Sequence, residues 1–67
     1  MSSQRRPYRV LFDDDLGDGT IRRGTVTVGD LDQARREAQA IALEGRRAEV
    51  HYVNEDGERA QLEEYSP

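Results

Sequence analysis

The segment "GDLDQARREAQAIALEGRR", Gly29 to Arg47, constrains the fold more than any other part of the chain. Asp30 is a good N-cap, with Gln33 three residues on as in a capping box. Asp32 puts negative charge in the first turn, where the helix dipole favours it. Gly45 is a natural stop just past the last turn. Between these signals Leu31, Ala34, Ala38, Ile41 and Ala42 fall on one side of a helical wheel. That stripe is mostly alanine, so the helix can lie close to a flat partner. Leu43 falls off the stripe and is either exposed or part of a contact. A single helix with so slender a face needs a sheet to cover it.

The rest of the chain supplies that sheet. "YRVLF", Tyr8 to Phe12, is a short β-rich run, and "DDDLGDG" after it is dense in turn formers. "TIRRGTVTV", Thr20 to Val28, reads as a second strand and ends in the period-2 alternation of a half-buried strand. Beyond the helix, "AEVHYVN", Ala48 to Asn54, is a third strand. "NEDGE" is a hairpin turn in which Gly57 can take positive φ, and "RAQLEEY", Arg59 to Tyr65, is a fourth strand. The pattern is ββαββ. A right-handed crossover through the helix places the third strand beside the first. The expected fold is α+β: a four-stranded antiparallel sheet in the order 2-1-3-4 with one helix on one face. Residues 1–6 read as a flexible N-terminal arm and residues 7–65 as a single domain.

Side-chain parity then sorts the two sheet faces. Tyr8, Val10, Phe12, Val26, Val28, Ala48, Val50, Tyr52, Ala60 and Leu62 are expected to face the helix. The opposite face is expected to carry Arg9, Leu11, Ile21, Arg23, Thr25, Thr27, Glu49, His51, Val53, Arg59, Gln61, Glu63 and Tyr65. Ile21 and Val26 disagree in parity, which suggests a bulge near Gly24.

The arrangement of "YRVLF", a glycine turn, a strand, an alanine-rich helix and "AEVHYVNEDGERAQLEEY" resembles the small bacterial ββαββ domains of unknown function. The resemblance covers Tyr8 to Tyr65. It implies a fold and carries over no functional residue.

Composition narrows the function. At 67 residues there is one domain of marginal stability. Without cysteine there is no disulfide or thiolate metal site, which fits a reducing compartment. The N-terminal "MSSQRRPYRV" lacks the apolar run of a signal peptide, and no stretch is apolar enough to span a bilayer. The expectation is a soluble, cytoplasmic protein. All ten basic residues are arginine and none is lysine, and four pairs recur: Arg5-Arg6, Arg22-Arg23, Arg35-Arg36 and Arg46-Arg47. GC-rich codon usage explains that bias and points to a high-GC bacterium or its phage. The net charge of −4 disfavours nucleic acid as the main partner.

Three candidate sites are weaker than they look. "FDDDLGDGT" is rich in aspartate, but counted from Asp13 the fifth position of a calcium loop is Gly17 and the sixth Asp18. Counted from Asp14, the third position is Leu16 and the twelfth Thr25. Neither register works, and a hairpin turn suffices. "GTIRRGT" has the glycine spacing of a P-loop without its lysine or its following helix. His51 shares a strand face with Glu49, an acid–base pair in principle, but no second histidine or glycine-framed nucleophile accompanies it. No catalytic, cofactor-binding or metal residue is therefore assigned.

The sheet face away from the helix remains. Leu11, Ile21, Arg23, Glu49, His51, Val53, Arg59 and Glu63 are its candidate interface residues: apolar side chains within a field of charges. The expected function is a small non-catalytic protein-interaction module or homodimer. The alternatives are a nucleic-acid-binding domain that uses this face and the arginine pairs, and an acidic inhibitor that docks on a basic site of a larger protein.

Overall fold

A computed structural model describes residues 6–15 and 17–67. The elements run β1 (Tyr8–Asp15), β2 (Ile21–Val28), α1 (Leu31–Leu43), β3 (Ala48–Val53) and β4 (Arg59–Tyr65). All neighbouring strands pair antiparallel, in the order β2-β1-β3-β4. The fold is therefore α+β, as the sequence pattern requires. The N-terminal arm read from residues 1–6 lies outside the described residues except for Arg6, which is exposed.

The helix ends carry their expected chemistry. Asp30 has extended backbone, and its carboxylate accepts the Gln33 N–H at 2.8 Å. At the other end Gly45 takes φ of 92°. The Arg46 N–H then donates to Ile41 O at 3.2 Å, and Gly45 N–H to Ala42 O at 3.0 Å. These are the two bonds of a Schellman stop. Between the caps Ala34 and Ala38 are fully buried and Leu31, Ile41 and Ala42 half-buried. The alanine face lies chiefly over the central strands β1 and β3.

The core is thin. Val10, Val50, Ala34, Ala38 and Ala48 have no exposed surface, and Val28 is 4% exposed. Tyr8, Phe12, Val26, Leu31, Ile41 and Tyr65 pack around them, each partly exposed. Tyr8 and Tyr52 are cross-strand partners whose ring centroids stand 5.3 Å apart, tilted.

Three expectations are corrected. The first concerns the aspartates: Asp13, Asp14 and Asp15 lie in β1 rather than in the turn between β1 and β2. Asp13 faces Arg23 and Asp14 faces Arg22 across the ladder. Opposite charges on paired residues offset the poor strand propensity of aspartate. The remaining turn closes on Asp18, whose carboxylate accepts the Thr20 N–H at 2.9 Å.

The second correction concerns Gly24. The β1–β2 register is unbroken from Tyr8↔Val28 to Asp15↔Ile21, so no bulge exists there. Gly24 instead sits opposite Phe12, and a β-carbon on it would come within 2.3 Å of the Phe12 ring. The glycine is a seat for the ring.

The third correction is the irregularity that does exist, between β3 and β4. Tyr52 pairs with Ala60 and His51 with Gln61, but Val50 pairs with Glu63. Leu62 is the extra residue, left 45% exposed. One extra residue exchanges the faces of everything that follows. Glu63 and Tyr65 therefore turn to the helix side and Glu64 to the open side. Ala60 faces the helix side as expected but lies exposed at the sheet edge rather than in the core.

Candidate functional site

No described element covers the second face of the sheet. Its centre is Leu11 on β1, flanked across the ladders by Thr25 on β2 and Glu49 on β3. Expected to be a surface residue, Leu11 is only 7% exposed. The cause is an ion pair that crosses β1 above it. The Arg23 guanidinium on β2 donates to Glu49 Oε2 on β3 at 2.5 Å. Arg23 Nε also lies 4.0 Å from Asp13 Oδ1. The long arginine stem thus shields an apolar side chain while its head stays polar.

Glu49 extends the network with its other oxygen, 3.1 Å from His51 Nε2. That hydrogen bond, aided by the charge of Arg23, holds the Glu49 carboxyl below its ordinary value. The side chains of Glu49 and His51 are only 12% and 14% exposed, although no described element lies over them. Arg9 stands beside His51 on the same face. Arg9 Nε and His51 Nδ1 are both buried without a hydrogen-bond partner among the described residues. Arg47 and Glu64 close the row with a further ion pair.

The remaining candidates scatter. Val53 is half-buried, and its N–H donates to Pro7 O at 2.8 Å, which ties the start of the domain to β3. Ile21 is 69% exposed at the end of β2. Arg59 is exposed and makes no ion pair among the described residues. Glu63 leaves the site altogether. It faces the helix, where it accepts from Arg35 Nε at 2.6 Å and from Tyr65 Oη at 2.8 Å. Those two bonds lower the Glu63 pKa, Arg35 first. Burial, then the bond to Glu63, raises that of Tyr65.

The structure thus brings together Leu11, Arg23, Glu49 and His51, and adds Arg9, Arg47 and Glu64, which sequence reasoning did not select. Glu64 arrives there only through the bulge at Leu62. One clue was available: apolar Tyr65 has the opposite parity to Ala60 and Leu62, a conflict that a bulge in β4 resolves.

Chemically, Glu49 and His51 hold the parts of a proton relay. Two hollows at the end of the domain, of about 500 and 340 Å³, are lined by other residues. The aspartates do not converge either. Asp13 points to the open face, whereas Asp14, on the opposite side, meets Arg46 Nη1 at 3.3 Å. Among the described residues no group of three or more histidines and carboxylates is placed to share a cation. Nor is any described helix long and apolar enough to cross a membrane.

Comparison of the chain with protein-family models, with curated proteins and with solved structures found no match.

Proposed function

We propose that this chain is a small, non-catalytic, cytoplasmic protein-interaction module whose uncovered sheet face docks on a second copy of itself. One observation carries the reading. Side chains on a face that no described element covers are already packed and largely withdrawn from water, with Leu11 7%, Glu49 12% and His51 14% exposed. A surface ordered before it meets its partner loses less entropy on binding.

Two further features support it. Leaving a buried nitrogen unpaired costs about 1–3 kcal/mol, and this face holds two, Arg9 Nε and His51 Nδ1. The core is also too slight to suggest independent robustness, and domains of this size often gain stability by oligomerising. Across a twofold axis the face would meet itself, with Arg9 and Arg59 of one copy near Glu49 and Glu64 of the other.

The nucleic-acid alternative has less support. Arg23, Arg35, Arg46 and Arg47 each engage an acidic residue, so much of the charge of the arginine pairs is already met within the chain. The acidic-inhibitor alternative is weakened in the same way, since Asp13 and Asp14 both engage arginines.

Arg59→Glu tests the proposal, because Arg59 is exposed and makes no ion pair among the described residues, so its replacement should leave the fold intact. Sedimentation equilibrium should show weaker self-association than wild type at an unchanged melting temperature. Equal association by the two proteins would count against the open face as the contact.

A further inference from the structure

The outer edge of β2 is a separate feature. β2 is eight residues long and keeps a regular register with β1 throughout. Strands of about five or six residues are more usual. Its outer backbone groups make no bonds to other segments among the described residues. Proteins protect such edges with proline, bulges, short strands or charge. The other edge, β4, is interrupted at Leu62, and its Glu63 and Glu64 are held by Arg35 and Arg47. β2 has no proline, no bulge and no acidic residue; its only charges are Arg22 and Arg23. Arg23 is drawn inward to Glu49. Arg22 lies on the other side of the strand, exposed and without an ion pair among the described residues. At the start of the strand, Ile21 is 69% exposed beside the hollow of about 500 Å³.

We propose that the outer edge of β2 accepts an extended, acidic segment of another protein as a fifth strand of the sheet. Only extended backbone can match the alternating donors and acceptors of a strand edge. Acidic side chains on the incoming strand would meet Arg22, which faces Asp14 across the ladder but makes no ion pair among the described residues, and an apolar one would cover Ile21. A second copy is a poorer occupant. Pairing β2 with itself would gather four arginines on one two-stranded ribbon without a carboxylate on either strand. The site is distinct from the open face, and either can fail alone.

The test uses the full chain, labelled with nitrogen-15, and two capped peptides that alternate valine with either glutamate or lysine. With the glutamate peptide, saturable shift changes and slowed amide exchange should appear on Ile21–Val28 and not on Arg59–Tyr65. The lysine peptide should bind at least about tenfold more weakly. Arg22→Glu should invert that preference, and Arg59→Glu should leave edge binding untouched. Saturable binding on β4 or the open face instead, equal binding of both peptides, or binding of neither overturns the proposal. Concentration-dependent protection of β2 without any peptide also overturns it, because the occupant is then a second copy.

Discussion

Replacing Gly24 with alanine should destabilise the domain through the ring it faces. A β-carbon at this position would lie 2.3 Å from Phe12 Cζ, 2.5 Å from Cε2 and 3.0 Å from Cε1. The first two distances are more than an ångström inside ordinary carbon–carbon contact, about 3.5–4.0 Å. The Phe12 ring must leave its place or the two strands must separate. Overpacking of this kind costs about 1–3 kcal/mol. Alanine returns about 0.4–1 kcal/mol by restricting the unfolded chain. Two ring atoms clash at once, so the net loss should be about 1.5–2.5 kcal/mol, towards the upper end of what remains. In a domain this small that lowers the melting temperature by roughly 6–20 °C. Thermal denaturation followed by circular dichroism measures it directly. The same alanine placed in a Phe12→Leu background should cost close to nothing, because the ring is gone. A Gly24→Ala protein that melts at or above wild type would refute the argument, as would an equal loss in both backgrounds.

Three further outcomes are expected. Ile41→Ala should cost about 1–2.5 kcal/mol, at or under the low end of the range for a fully buried isoleucine because Ile41 is only half-buried, while Leu43→Ala should stay within about 0.5 kcal/mol; urea denaturation compares them. Glu63 has a folded pKa below its ordinary 4.5, so its contribution is present above that value and lost as pH falls below it. Glu63→Gln should therefore flatten the decline of melting temperature in acid and leave the trend near neutrality unchanged, and equal acid slopes would remove Glu63 from the account. Millimolar calcium or magnesium should leave the melting temperature at that of an ionic-strength control, whereas a saturable rise would mean that the aspartates hold a cation.

The fold was legible because period and punctuation agreed. The Thr-Val alternation of β2, the Asp30 cap, the alanine stripe and the Gly45 stop each point to one local structure, and the strand order follows from them. What was not legible depends on contacts between distant residues. Asp13 to Asp15 read as a turn until Arg23 and Arg22 are seen opposite Asp13 and Asp14. Gly24 read as a bulge until Phe12 is seen above it. The bulge at Leu62 has no local signature, yet it moved Glu63 out of the candidate site and Glu64 in. Leu11 was placed on the correct face and misjudged as exposed, because parity reports direction and not the reach of an arginine from two strands away.

The central claim is that the uncovered face meets a second copy of itself. Size-exclusion chromatography with light scattering, run on the wild-type chain over a wide range of concentration, tests it most directly. The account predicts a mass that rises with concentration towards twice the 7.6 kDa of one chain. A mass that stays at 7.6 kDa at the highest concentration would contradict it.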